Sequence, residues 1–291
     1  MRRLFALPLL LVALLSGSAL AQEVGPTVRL GQIGISFYAV TGQVVQAVLE
    51  RLGVGVELRT GSHSEIFPEL GAGSIDLLVA AWLPHAHARY WREYGTDAAE
   101  LATLYTGAQL FWAVPDYVPV QAVAAVEDLK KPEVAARMQR QIQATGADSG
   151  LSMGSRRILD AYDLQASGYR LLTGAHSDWQ AYFETHYEAG DWFVMPYFKP
   201  NFLNQMARMR KLEEPLDLLG KENRAVLVAS DDFVASAPDR VVRVLRRIEL
   251  DLDAVAEMDY MVRIDGLTAR VAAHRWMSGN AARVDRWFAI D

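Results

Sequence analysis

The sequence contains no cysteine. No disulfide can form, no thiolate can serve as nucleophile or metal ligand, and no anchor attached through a lipidated cysteine is expected. Beyond residues 4–15 there is no second long apolar run, so no other segment reads as a membrane span. Basic runs are also missing. The 29 Lys and Arg residues face 35 Asp and Glu, a net charge of −6, and such a chain is a poor partner for nucleic acid. No short-period repeat or low-complexity segment is present, which excludes a solenoid.

What is present begins with MRRLFALPLLLVALLSGSALA. Arg2 and Arg3 form a charged start, Leu4 to Leu15 an apolar core, and Ala19-Leu20-Ala21 a small-residue cleavage site. Residues 1–21 therefore read as a secretory signal cleaved near Ala21. The mature chain would start at Gln22, soluble in a periplasm-like space and monomeric. Removing the signal takes away two arginines and no acid, leaving 27 basic against 35 acidic residues, a net charge of −8. With no disulfides to rely on, a chain of 291 residues must draw its stability from one large core or two lobes of ordinary size.

The pattern along the chain is that of an α/β protein. Thr27 to Gly34 reads as a strand. Val40, Val44, Val48 and Leu52, with Val45 and Leu49 beside them, then form a helical stripe that Gly53 ends. VGVELRT alternates as a strand, SEIFPELGAG is a short helix, and IDLLVAA is a continuous apolar run suited to a strand buried on both faces. This β-α-β-α-β order implies parallel strands with right-handed crossovers. A second block follows. QLFWAVP reads as strand, VEDLKKPEVAARMQRQIQ and SRRILDAYDL as helices, YRLLTG as strand, DWQAYFETHYEAG as helix and WFVMPYF as strand. RAVLVAS is one more strand, and the remainder is helical in three or four pieces. Two blocks and a returning tail predict two lobes joined by two crossings, near 106–115 and 213–224. Lobe I would comprise residues 22–106 and 216–291, lobe II residues 107–215, with a ligand cleft between them that closes by hinge motion.

Ligands of open α/β sheets bind beyond the carboxyl ends of strands. Three such ends carry aromatic residues: Phe37 and Tyr38, Trp82, and Tyr197 with Phe198. Together they suggest a box for a cation, because a ring face attracts a positive centre by roughly 0.5–2 kcal/mol.

The run IDLLVAAWLPHAHARYW, together with VEDLKKP, GADSGLSMGSRRILDAYDL, EAGDWFVMPYFKPNFL and LGKENRAVLVASDDF, resembles the substrate-binding proteins of glycine betaine, choline and proline betaine ABC importers. The resemblance continues through DAVAEMDYMVRIDGLTARVAAHRWMSGNAARVDRWF and so covers nearly the whole mature chain. It implies a two-lobed, type II-like periplasmic binding protein fold, a quaternary ammonium held between aromatic rings, and delivery to a membrane permease. Trp82 matches the family's cage tryptophan in a Trp-Leu-Pro turn. Phe198 stands where tryptophan usually precedes Ser-Pro-His; here the run is Phe-Lys-Pro-Asn. The first-strand loop, often carrying tryptophan, reads Ser36-Phe37-Tyr38. Phenyl and phenol faces bind cations less well than indole, so the ligand is open among betaines, choline and other small cations or zwitterions. The resemblance also implies main-chain N–H groups for a carboxylate. The helix starting near Ala39 and the loop around Ser152 offer them. His63 and His85 are further candidates for hydrogen bonds to the ligand.

Other chemistries fit less well. GLSMG has the form of a nucleophile elbow around Ser152, with His186 and His274 downstream, but the polar QRQIQATGADS before it does not read as the strand that motif needs. His85, His87 and a distant His63 are a poor set for zinc, which wants three or four protein ligands. An amino-acid ligand would need an acid for its ammonium, for which Glu65 or Asp178 are candidates. No catalytic residue, metal or cofactor is expected. Trp91, Trp112, Trp179, Trp192, Trp276 and Trp287 read as packing residues.

Overall fold

In the computed structural model, which describes residues 27–290, the chain opens with β1 (Thr27–Ile33), α1 (Ser36–Arg51), β2 (Gly55–Gly61), α2 (His63–Gly71) and β3 (Leu77–Leu83). The signal segment read at residues 1–21 lies outside the described residues. Strand β1 sits between β2 and β3 and is parallel to both, as the alternating pattern requires. Val40, Val44 and Val48 of α1 are fully buried. Gly53 ends the helix with φ +78°, a left-handed conformation that costs glycine nothing.

After α3 (Ala88–Tyr94) the chain forms β4 (Ala98–Pro115), α4 (Pro132–Ala135), β5 (Gln141–Ala144), α5 (Gly150–Ala161), β6 (Arg170–Thr173) and α6 (His176–Glu188). Then come β7 (Met195–Lys199), β8 (Met209–Lys211) and β9 (Asn223–Ser230), followed by α7 (Asp231–Ser236), α8 (Asp239–Leu245), α9 (Leu252–Arg263), α10 (Ala269–Gly279) and α11 (Ala281–Phe288). The helical tail thus has five pieces rather than three or four among the described residues, because Pro238 separates α7 from α8.

The largest departure from the sequence pattern is β4. Only Gln109–Pro115 reads as a strand, yet the element is 18 residues long. Its first part pairs antiparallel with β9, and its last part pairs with β7 and β8. The pairing with β9 shifts register between Tyr105 and Ala108, where Gly107 adopts φ +82°. Alanine is the commonest residue of that first part, and alanine and glycine carry none of the β-branched or aromatic signal on which a strand assignment rests. One continuous strand therefore carries the chain from the first half into the second. The order β2-β1-β3-β9-β4-β7 makes a single curled mixed sheet, with β5 and β6 a separate parallel pair.

Two further readings are corrected. Residues 126–143 are not one helix. Pro132 has no N–H to donate and bars Lys131 from helical geometry, so a 3-10 turn (Val126–Lys130) stops there and α4 restarts at Pro132. The end of that segment is β5, paired with β6. The supposed strand end at Ala81 is also wrong. β3 continues through Trp82 and Leu83, and β9 pairs along it opposite Trp82, so the indole is 1% exposed rather than at a solvent boundary. A bulge lies just before it, between Leu78 and Ala81, with Ala80 at φ +58°. Bulges of this kind re-aim the side chains that follow.

Candidate functional site

The first turn of α1 and the end of β3 bring three rings together. Phe37 lies 4.0 Å from Tyr38 and 5.4 Å from Trp82, centroid to centroid, and Tyr38 lies 6.0 Å from Trp82. From the other half of the chain, Phe198 at the end of β7 reaches Phe37 at 5.1 Å. All four line one cavity of about 30 Å³. A larger cavity of about 290 Å³ adjoins it, sharing His63, Ile35, Thr145 and Ser149. Trp82 is held from behind, its Nε1–H donating to Tyr105 Oη at 3.0 Å. Trp179 packs behind Phe198 at 5.1 Å and donates its Nε1–H to Pro196 O.

Tyr197 does not join this group. Successive strand residues point to opposite faces, and its ring packs against Phe111 and Trp179 instead. His63 does line the cavity. Burial lowers its pKa to about 4, so the ring is neutral at ordinary pH. His85 lies outside: it is exposed, its main-chain N–H donates to Asn223 Oδ1, and it borders a surface cavity with Arg89 and Met153. His87 takes the inner place. It is 1% exposed, with Nδ1 2.9 Å from Trp82 N and Nε2 3.3 Å from Tyr38 Oη. Burial depresses its pKa strongly. The two histidines of His85-Ala86-His87 thus face different surroundings and do not make a chelating pair. Among the described residues no cluster of His, Asp or Glu could hold a metal ion.

The N–H groups expected near Ala39 and Ser152 are already used. Ala39 N–H donates to Ile35 O at 2.9 Å, and Ser152 N–H to Ser149 Oγ at 3.1 Å. The uncommitted donors are those of the first turns, at Ser36, Phe37 and Tyr38 in α1 and at Gly150 and Leu151 in α5. Helix α1 begins at Ser36, after Ile35 in extended geometry, and Ile35 has no side-chain oxygen to cap its first turn. Helix α5 begins at Gly150, so GLSMG is its first turn rather than a preceding loop, and Ser149 is the cap. Neither helix has an acid in its first turn, unlike α2, α6 and α9, so their positive ends stand uncompensated.

This arrangement also disposes of the nucleophile-elbow reading, though on new grounds. A strand does precede the motif, since β5 ends at Ala144. Yet Ser152 lies inside the helix, fully buried, with its hydroxyl donating to Thr145 O. The acids weighed for an ammonium are likewise committed: Glu65 accepts the Ser62 N–H at 2.7 Å and Asp178 the Ala175 N–H at 2.8 Å, both as helix caps. Among the described residues no carboxylate lines the aromatic cavity.

Contacts across the cleft hold its walls together. Asp148 Oδ2 accepts from Ser64 N–H at 2.9 Å and Ser64 Oγ–H at 3.0 Å, and Asp148 O accepts from Tyr90 Oη–H at 2.8 Å. Burial works to raise the Asp148 pKa, but the Ser64 N–H and the nearby His63 prevail and lower it. A Cβ on Gly150 would lie 2.2 Å from Ala86 O, so α5 meets the β3–α3 turn with no room to spare. On the far side of the rings, Asp259 of α9 accepts the Phe202 N–H at 2.8 Å, and burial raises its pKa to about 6.

Comparison with known proteins follows the same outline. A family model described as the substrate binding domain of ABC-type glycine betaine transport systems matches residues 26–279. Lactococcal OpuAC, solved closed and complexed with glycine betaine, superposes with a TM-score of 0.81 at 19% identity, covering 90% of this chain and 99% of its own. The glycine betaine/L-proline-binding protein ProX of Borrelia burgdorferi gives 0.81 at 19% identity, covering 90% and 96%. An ABC-transporter choline-binding protein in complex with choline gives 0.78 at 18% identity, covering 90% and 91%. At these identities the likeness establishes a shared two-lobed binding-protein fold.

Proposed function

The chain belongs to the family of substrate-binding domains of ABC-type glycine betaine transport systems, and from that premise we propose that it captures a small quaternary ammonium zwitterion between its lobes and hands it to the permease. The observation that carries this reading is a cavity walled by Phe37, Tyr38, Trp82 and Phe198, lined by no carboxylate among the described residues and met by the starts of α1 and α5, neither of which carries an acid in its first turn. Rings attract the methylated nitrogen through their faces, and the helix starts attract the carboxylate. A cationic centre gripped between two faces sits within about 6 Å of each centroid. Phe37 and Phe198, now 5.1 Å apart, must part to admit it.

The division into lobes is proposed as residues 22–106 with 216–291, and 107–215, the chain crossing near Gly107 and returning ahead of β9. The protein is proposed to act as a monomer in the periplasm after cleavage near Ala21, to form no covalent intermediate and to bind no nucleic acid. An amino acid is a weaker candidate ligand, since Glu65 and Asp178 are tied up in helix caps and no acid faces the cavity. A melting-temperature and calorimetric screen of glycine betaine, proline betaine, choline, carnitine and the amino acids tests the reading. A ligand at 100 times its Kd adds about 2.7 kcal/mol of stability. A betaine is expected to raise the melting point by several degrees. Stabilisation by an amino acid alone, with no response to any quaternary ammonium, would reject it.

A further inference from the structure

Tyr38 contributes a ring to the aromatic cluster, but its hydroxyl is turned toward His87, with Oη 3.3 Å from Nε2. The other nitrogen of that imidazole settles which group donates. Nδ1 lies 2.9 Å from the main-chain N of Trp82. An amide N–H can only donate, so Nδ1 holds a lone pair, and a neutral ring then carries its proton on Nε2. Nε2–H donates and Tyr38 Oη accepts. The phenol proton must go elsewhere.

Both residues are buried, 3% and 1% exposed, and Tyr38 Oη has no second hydrogen-bond partner among the described residues. A buried O–H without an acceptor is costly, so an acceptor from outside the chain would be strongly favoured there. The open direction is the cavity, which Tyr38 and His87 line together with Ala86, Gly150 and Leu151. Gly150 abuts Ala86, the neighbour of His87, so the free N–H groups at the start of α5 serve the same end of the cavity as the Tyr38 hydroxyl.

We infer that His87 is a positioning residue: it takes up the acceptor side of the Tyr38 hydroxyl and so turns the O–H into the cavity, where it donates to the anionic group of the ligand. Tyr38 then reads the carboxylate end, and Phe37, Trp82 and Phe198 read the methylated nitrogen. This rests on the quaternary ammonium reading above, and it assigns a selectivity role to a pair that the aromatic cluster alone would treat as two more rings.

Glycine betaine and choline share a trimethylammonium head, and only the first has a carboxylate. Calorimetric titration of the purified chain with each separates the two roles. Tyr38→Phe is expected to weaken glycine betaine about tenfold or more and to leave choline within about twofold. His87→Leu is expected to lose most of the same selectivity, and the double variant to bind no worse than Tyr38→Phe alone. His87→Gln, which keeps a donor toward Tyr38, should recover part of the loss. Equal losses for both ligands in Tyr38→Phe, or fully additive losses at 38 and 87, would overturn the inference. If His87→Leu shows no cooperative thermal transition, the betaine-to-choline ratio in Tyr38→Phe and His87→Gln decides, and an unchanged ratio in both overturns it. A wild-type chain that binds neither compound overturns the quaternary ammonium reading itself, whereas wild-type binding with an unchanged ratio in Tyr38→Phe overturns only the role of this pair.

Discussion

Trp82 owes its place to two bonds that leave its face free. Its Nε1–H is spent on Tyr105 Oη, and its main-chain N–H on His87 Nδ1. The indole is thus fixed edge-on from behind and presents a surface to Phe37 and Tyr38. Tyr105→Phe would leave a buried N–H with no acceptor. Urea unfolding without ligand is expected to show a loss of about 1–3 kcal/mol, and the ligand Kd should rise because the ring is less well held. No change in either quantity would mean the indole is positioned by packing alone. Trp82→Ala removes far more, about 3–5 kcal/mol of stability, together with the strongest cation-binding face of the cluster, and should abolish a measurable calorimetric response to a betaine.

Among the elements, α1 and α5 both place their first turns at the cavity. Helices α2, α6 and α9 begin with acids that neutralise their dipoles, while α1 and α5 begin with none. Helices α3, α10 and α11 also begin without an acid, so what matters for α1 and α5 is that their uncompensated starts lie at the cavity. Helix α5 also depends on Gly150, whose missing side chain lets it close against Ala86 O. In the arrangement described a Cβ at Gly150 would lie 2.2 Å from Ala86 O, so Gly150→Val should be accommodated only with α5 drawn back from Ala86, as in an open unliganded state whose fold it should leave intact. It should block the close approach of the two walls. The expected result is an unliganded melting point within a few degrees of wild type and no upward shift at saturating betaine. A normal ligand shift in Gly150→Val would show that closure does not need this contact.

At the scale of the whole molecule, β4 joins the halves covalently while Asp148 and Asp259 join them by hydrogen bonds. Asp148→Ala removes the acceptor of the Ser64 N–H and hydroxyl and leaves the lining of the aromatic cavity unchanged, Asp148 bordering only the larger cavity beside it. Ligands shift populations only by differential affinity, so destabilising the joined arrangement should weaken betaine binding by roughly tenfold, chiefly through faster dissociation in stopped-flow tryptophan fluorescence. Unchanged dissociation would mean that the contact plays no part in holding the ligand. Asp259 predicts a pH effect of definite sign. Burial raises its pKa from 3.8 to about 6 in the folded chain, so the folded state holds this proton more tightly than the unfolded one. Its contribution is therefore fully present below pH 3.8 and is lost as pH rises through about 6, a change on the order of 3 kcal/mol. Asp259→Asn keeps an acceptor for the Phe202 N–H and cannot titrate. Urea unfolding between pH 4 and 7 should show this downward slope in wild type but not in the variant, and parallel curves would refute the assignment.

Short-range chemistry was enough for much of this. The β-α-β-α-β order follows from local periodicity, the stop after α1 from one glycine, and the aromatic character of the site from residues at strand ends in Phe37, Trp82 and Phe198. What local pattern could not convey was anything set by a partner distant in the chain. The first half of β4 is a strand because β9, more than a hundred residues away, pairs with it. His87 and not His85 turns inward because its ring finds the Trp82 N–H and the Tyr38 hydroxyl only once the turn after β3 is folded. Ala39 and Ser152 gave way to their helical neighbours as donors because the helices start earlier than their apolar stripes do. Composition and periodicity are properties of a segment. Which side chain faces a cavity depends on the elements that enclose it, and these meet only in the tertiary structure.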